Sequence, residues 1–260
     1  MPAVVGMVLA ALVGMVGTAK FSKLFTTYHQ AMRLTLYGLV LLLSLPGVIH
    51  AEPQRIVLVG DSTVTDASGW GLGFAGLFGP EAKVINMAQS GRSSKSFRDE
   101  GHWQKVLELK PQWVLIQFGH NDQPGKGPKR ETDPKSTFPE NMMCFVDEAS
   151  AIGAKTILIT SMERRQFDGN GKIKPSLTDY ANATKQAAEK KMVPLVDLNS
   201  SSIAWLNKAG PEGSLYLDPP PDKTGKKDKT HLTRKGADSM GALVVEEIRK
   251  VAPDLAKLLK

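Results

Sequence analysis

The sequence predicts an α/β fold: a three-layer α/β/α sandwich with a central, mostly parallel five-stranded sheet. Three observations carry this expectation. Short apolar runs rich in β-branched residues recur at 56–59, 84–87, 114–118, 156–160 and 194–198. Amphipathic stretches with a helical period lie between them, at about 70–78, 103–109, 139–152 and 177–190, and another at 237–251 closes the chain. The strand runs are continuously apolar rather than alternating, as strands covered on both faces of a parallel sheet are. At 260 residues the chain can build one domain with a sizeable core, and the fractions of charged and apolar residues are those of a globular protein.

The first 51 residues stand apart. They hold Lys20, Lys23 and Arg33, no acidic residue, and two apolar runs at about 3–16 and 34–49. Both are short for a membrane span, which needs about 20 apolar residues. The second has the parts of a secretory signal: Met32-Arg33 as the charged start, an apolar stretch at 34–45, Pro46 and Gly47 as breakers, and Ala51 as a small residue for cleavage. The expected organisation is therefore a leader at 1–51, with the true start at Met32, and one catalytic domain at 52–260. The product would be secreted or periplasmic, or membrane-anchored if the leader is retained. Its removal takes three of 33 basic residues and none of 26 acidic ones, leaving 30 against 26 and a net charge of +4. No arginine-rich helix, nucleic-acid motif or aromatic ladder argues for DNA or RNA.

From residue 53 the elements can be taken in order. Ile56-Val57-Leu58-Val59 ends at Gly60-Asp61-Ser62, which delivers Ser62 to the carboxyl edge of the sheet, where α/β proteins place their chemistry. From these residues alone the plainer reading, that Asp61 or Ser62 caps a following helix, is the stronger one. Ser68-Gly69-Trp70 reads as a turn feeding a helix anchored by Trp70. The second strand ends in a glycine-and-serine turn, Ser90-Gly91-Arg92-Ser93-Ser94, where a bare backbone N–H can point into a site. The third ends in Gly119-His120-Asn121-Asp122, polar side chains that suit a turn or a site equally. Cys144, the lone cysteine, lies in an apolar stretch and is expected in the core; it excludes a disulfide and any cysteine-based zinc site. Long irregular stretches rich in Gly, Pro and Lys are expected at 123–138 and 207–230.

Near the C-terminus, Asp228 precedes His231 by three residues, ahead of a helix beginning near Arg234. In a turn, that carboxylate can hold the imidazole Nδ1–H and leave Nε2 free to take a proton from a serine. A structural histidine with a satisfied bond is the alternative. Beyond the leader the other histidines are His102, flanked by acids and read as a surface or helix-start residue, and His120. They form no metal-ligand cluster, so neither a metal nor a cofactor is expected.

Together, Gly60-Asp61-Ser62, Gly91 in its turn, Gly119-x-Asn121-Asp122 and Asp228-x-x-His231 resemble, in order, the four blocks of the SGNH (GDSL-type) hydrolases. The resemblance spans 55–251 and implies a flavodoxin-like sheet. Gly60-Asp61-Ser62-Thr63, Gly91-Arg92-Ser93, Gly119-His120-Asn121-Asp122, Arg164-Arg165-Gln166-Phe167-Asp168 and Val193-Pro194-Leu195-Val196-Asp197 look like its rhamnogalacturonan acetylesterase group. Carried over, the resemblance makes Ser62 the nucleophile, His231 its base and Asp228 the residue that orients it. The oxyanion hole would comprise the N–H groups of Ser62 and Gly91 and the amide of Asn121, with Asp61 bracing the turn.

The implied function is removal of O-acetyl groups from a plant cell-wall polysaccharide, pectic rhamnogalacturonan first. Acetyl xylan or another glycan, a lipid ester, or an inactive glycan-binding module on the same fold are the alternatives. Polar, basic, proline-rich loops at 123–135 and 219–229 favour a sugar polymer over lipid. Arg92 and His120 are candidate substrate-binding residues. Arg92 either meets a uronic carboxylate or braces its loop against Asp99 or Glu100.

Overall fold

The computed structural model describes residues 52–260; the leader expected at 1–51 lies outside the described residues. The strands are β1 (Gln54–Gly60), β2 (Ala82–Asn86), β3 (Trp113–Gln117), β4 (Lys155–Ile159) and β5 (Leu195–Val196). All four pairings are parallel, in the spatial order β2-β1-β3-β4-β5. The helices are α1 (Gly71–Ala75), α2 (Ser94–Asp99), α3 (His102–Glu108), α4 (Thr137–Ala151), α5 (Thr178–Lys191), α6 (Leu198–Gly213), α7 (Arg234–Val251) and α8 (Pro253–Ala256).

The two side-chain directions of each strand feed separate cores, which is what makes three layers. Ile56, Leu58, Leu115, Ile157 and Ile159 pack with Trp70, Phe74, Leu206, Val244 and Ile248, beneath α1, α6 and α7. Val57, Val59, Val114, Ile116 and Leu158 pack with Phe97, Val106, Phe145 and Ala187, beneath α2 to α5. Each such side chain contributes about 1.5–3 kcal/mol when removed from water. On the first face α1 and α7 touch backbone to backbone. A Cβ on Gly73 would stand 2.1 Å from Ala237 O, and one on Gly241 2.4 Å from Phe74 N, so glycine is required at both crossings.

The chain leaves β1 to one side for β2 and to the other for β3. That reversal opens a crevice at the carboxyl ends of β1 and β3, the usual binding place in open α/β sheets. The register pairs Gly60 with Gln117, so the segments carrying Ser62 and Gly119–Asn121 emerge side by side.

Some expectations need correcting. No helix follows β1 directly: residues 61–70 are turns, so Ser62 sits on a turn and not at a helix N-terminus. The turn expected over Ser90–Ser94 runs into α2 (Ser94–Asp99), which a capping box between Ser93 and Ser96 starts. The irregular stretch expected from 207 begins instead inside α6, which runs to Gly213 through a break at Gly210 (φ 72°) before Pro211. Its serine-rich start hid the helical period, and Asp197 caps it by accepting from Ser200 N. That early start cuts β5 to two residues. Cys144 is exposed, because the period of α4 turns Met142, Phe145 and Val146 inward and Cys144 outward. His102 begins α3, with Nε2 3.2 Å from Glu100 Oε2.

Candidate active site

The turn that carries Ser62 is held by its own residues. Asp61 Oδ1 accepts from Thr63 N at 2.9 Å and Thr63 Oγ1 at 2.7 Å. Ser62 O accepts from Thr65 Oγ1 and Ser68 Oγ at 2.8 and 2.9 Å. Behind it, Gln117 donates to Thr63 Oγ1 at 2.7 Å and accepts from Trp70 Nε1 at 2.9 Å, which ties the turn to β3 and α1. Asp61 therefore braces the turn, and the Ser62 hydroxyl is left to face outward.

His231 Nε2 lies 2.8 Å from Ser62 Oγ, and its Nδ1 lies 2.7 Å from Asp228 Oδ2. The other carboxylate oxygen, Oδ1, accepts from the backbone N–H groups of Thr230 and His231 at 2.8 and 2.9 Å. Partial burial raises the Asp228 pKa, but the bonds from His231 and the Thr230 N–H outweigh it and bring it down to about 2. Asp228 is thus ionised at any ordinary pH, the state in which it best accepts the Nδ1 proton.

The loop bearing Asp228 and His231 is anchored by residues that sequence reasoning did not assign. Arg165, a fully buried arginine just past the end of β4, donates to Asp218 Oδ1 and to the backbone oxygen of His231. Its own N–H donates to Lys229 O at 2.9 Å, and Lys229 Nζ pairs with the second oxygen of Asp218. Leu232 N donates to Ser68 O at 2.9 Å, which joins the histidine loop to the serine turn. The adjacent arginines after a strand end were the available signal, but nothing local distinguishes a clamp from a surface pair.

Two further segments emerge at the same edge of the sheet. Gly91 takes φ +77°, a left-handed conformation that suits glycine, and Gln89 N bonds Gly60 O at 2.9 Å to fix that turn on β1. Among the described residues the backbone N–H groups of Ser62 and Gly91 donate to nothing. Asn121 gives one Nδ2 proton to Arg92 O at 3.2 Å and keeps the other. Asp122, beside it, is fully buried and accepts from Ser94 N, Ser94 Oγ and Thr132 Oγ1. Burial pushes its pKa up to about 7 despite these bonds.

Arg92 Nε pairs with Glu100 Oε2 at 2.8 Å and Nη1 donates to Ser90 O at 2.9 Å, which is the loop-bracing alternative. His120 is buried behind the serine turn with Nδ1 3.7 Å from Asp61 Oδ2 and no hydrogen bond at either ring nitrogen. Burial raises the Asp61 pKa, but the ionic pull of His120 and the bonds from Thr63 hold it below the usual range. Among the described residues no group of three or more His, Cys, Asp or Glu side chains is gathered as metal ligands would be.

A serine hydroxyl bonded to an imidazole, an imidazole bonded to a carboxylate, and unpaired donors around the serine are the parts of an acyl-transfer site on a flavodoxin-like sheet. Residues 58–238 match the family described as GDSL-like lipase/acylhydrolase, and the chain belongs to that family of carboxylic ester hydrolases. A rhamnogalacturonan acetylesterase of Bacillus subtilis (strain 168) is 38% identical over 77% of this chain and 91% of its own. A probable rhamnogalacturonan acetylesterase of the same organism is 37% identical over 78% and 96%. In fold, the chain resembles an acetylxylan esterase from Geobacillus stearothermophilus with a TM-score of 0.58, at 18% identity over 76% of this chain and 95% of the other.

Proposed function

We propose that residues 52–260 form a serine esterase that removes O-acetyl groups from a cell-wall polysaccharide, rhamnogalacturonan first. The observation that carries this reading is the continuous bonding from Ser62 Oγ to His231 Nε2 and from Nδ1 to Asp228, at 2.8 and 2.7 Å, beside unpaired backbone donors. The names of the two Bacillus relatives supply the sugar.

In this mechanism Ser62 Oγ attacks the acetyl carbonyl carbon while His231 Nε2 takes the hydroxyl proton. Asp228, ionised, holds the imidazole in the tautomer with Nε2 free and stabilises the imidazolium that forms. The carbonyl oxygen becomes an oxyanion and receives the N–H groups of Ser62 and Gly91 and the second Nδ2 proton of Asn121. Collapse expels the sugar hydroxyl, which takes its proton from His231, and leaves Ser62 acetylated. Water, deprotonated by His231, then attacks the acetyl carbonyl; the bond to Ser62 Oγ breaks, Oγ takes the proton back from His231, and acetate leaves. The donors supply the charge stabilisation that a metal supplies elsewhere, so the scheme calls for no cofactor.

The test is acetate release from acetylated pectin, xylan and chitin fragments, with long-chain acyl esters alongside. Release from acetylated pectin exceeding the others is expected. A preference for long-chain esters over every glycan would sink the proposal.

A further inference from the structure

Arg164 and Arg165 are neighbours in sequence and opposites in bonding. Arg165 is consumed by the clamp on the histidine loop. Arg164 is half-buried, and its side-chain partner is neutral: Nη1 donates to Ser176 Oγ at 2.9 Å. That hydroxyl is in turn held by Glu163 Oε1 at 2.6 Å, so the arginine arm is fixed in place. Among the described residues no carboxylate forms an ion pair with its guanidinium, in contrast to Arg92, which Glu100 occupies. Burial draws the Arg164 pKa down, and attraction to Glu163 and Asp61 offsets only part of that. Glu163 reaches the guanidinium only through the Ser176 hydroxyl, so no carboxylate fills its fork directly and a ligand carboxylate can.

The surroundings supply a place for such a ligand. Arg164 lines a groove of about 500 Å³ together with Pro219, Pro220, Lys226, Lys227 and Asp228, a size common for small-molecule sites. Asp228, one of its lining residues, is bonded to His231 Nδ1, so the groove reaches the loop that carries the histidine. Its charges do not cancel internally. Lys229 is paired with Asp218, and Asp222 is engaged by its own turn, accepting from Thr224 N and Lys226 N at 2.8 and 3.0 Å. Asp222 N bonds back to Lys226 O at 3.0 Å, so Lys226 sits on an ordered turn. Lys226 and Lys227 have no carboxylate at ion-pair distance among the described residues. The prolines stiffen the wall and reduce the ordering that binding would otherwise require.

We infer that this groove is an anion-binding subsite in which Arg164, aided by Lys226 and Lys227, receives the carboxylate of a uronic acid in the acetylated glycan. The inference rests on the acetylesterase reading and adds the residues that would select an acidic chain over a neutral one. An arginine fork matches a carboxylate through two parallel bonds, and the lining's four positive side chains outnumber its two carboxylates, Asp222 and Asp228.

The experiment compares wild type, Arg164→Gln, Arg164→Lys and the double variant Lys226→Gln/Lys227→Gln. Calorimetry with an unacetylated rhamnogalacturonan oligomer reads binding without turnover. Kinetics on acetylated oligomers, one uronate-containing and one neutral xylan-derived, reads selectivity. Arg164→Gln should weaken oligomer binding about 10- to 100-fold, the range expected for a lost hydrogen bond to a charged group. It should lower the acidic-to-neutral ratio of kcat/KM by a similar factor, through KM. Arg164→Lys should recover part of the loss, and wild-type binding should weaken with added salt. The lysine pair, on an exposed turn, should lower the ratio even if Arg164→Gln folds poorly. An unchanged ratio in both the arginine and the lysine variants, or equal losses on both substrates, overturns the subsite. If wild type binds the uronate oligomer through Arg164 yet releases no acetate from any glycan, the acetylesterase reading fails and the groove stands.

Discussion

In the proposed scheme Ser62 is a weak nucleophile until His231 takes its proton, and His231 is poised for that because Asp228 stays ionised. The three side chains therefore act as a unit, and single losses should be severe and not additive. Ser62→Ala and His231→Ala are each expected to cost roughly 10⁴-fold or more in kcat with the fold retained, and Asp228→Asn about 10- to 100-fold less than either. Steady-state hydrolysis of a small acetyl ester by the purified variants checks this; near-normal turnover by folded Ser62→Ala would remove the proposed nucleophile. Asn121→Ala, which removes one proposed oxyanion donor, should cost about 10²–10³-fold in kcat. Two carboxyls also tie stability to pH in opposite senses. The Asp228 pKa is depressed to about 2, so its contribution is present above its unfolded value near 3.8 and is lost as pH falls towards 2. The Asp122 pKa is raised to about 7, so its contribution is full below about 3.8 and is lost as pH rises through 7. Urea unfolding across pH 4–8 should show wild type losing stability relative to Asp122→Asn as pH rises; parallel curves would mean that Asp122 is ionised throughout.

At the level of elements, the site depends on loops bolted to strand ends. Arg165 holds the 228–231 loop from beneath through Asp218 and the His231 carbonyl, and breaking a buried pair of this kind costs about 3–5 kcal/mol. Arg165→Met should therefore lower both stability in urea and the kcat of the folded fraction, because the imidazole loses the floor that sets its distance to Ser62. A variant that is less stable but keeps full kcat would show that the loop holds itself. The α1–α7 crossing makes a separate demand. Gly241→Ala would push a Cβ to 2.4 Å from Phe74 N, against backbone that cannot swing aside. Overpacking of this sort costs about 1–3 kcal/mol, read as a shift of the urea midpoint. Sequence periodicity located α4, α5 and α7 within a few residues, since each has one apolar face over three or more turns. It missed α2, which is six residues long, and the start of α6, where Asn199 and three serines follow Leu198; caps at Ser93 and Asp197 begin both.

For the molecule as a whole, all strands are parallel, so the segments carrying Ser62, Gly91 and Asn121 leave the sheet at one edge; the 228–231 loop, which follows no strand, is brought there by Leu232 N bonding Ser68 O and by Arg165. Among the described residues no helix is long and apolar enough to cross a membrane. The leader reading makes export the expected fate, with the mature chain beginning near Glu52. N-terminal sequencing of protein from the native host should find nothing before Met32, and recovery of an intact cytoplasmic chain from Met1 would refute it. Activity should survive dialysis against a chelator, since the proposed scheme uses only protein donors; a loss restored by zinc or calcium would require a different scheme.

The sequence by itself determined the layering and the chemistry's ingredients. Buried parallel strands read as unbroken apolar runs, and the turns after them announce themselves through Gly60-Asp61-Ser62, Gly91, Asn121 and Asp228-x-x-His231. These are local properties of a few consecutive residues, and local physics is legible in one dimension. Tertiary structure alone decided which neighbours those residues have. It turned His120 inward against Asp61, and sent Arg165 into the core while its neighbour Arg164 lines the open groove. A charged side chain takes the partner that folding brings within a few ångströms, and no spacing along the chain encodes a contact between residues separated by a strand, a helix and a loop.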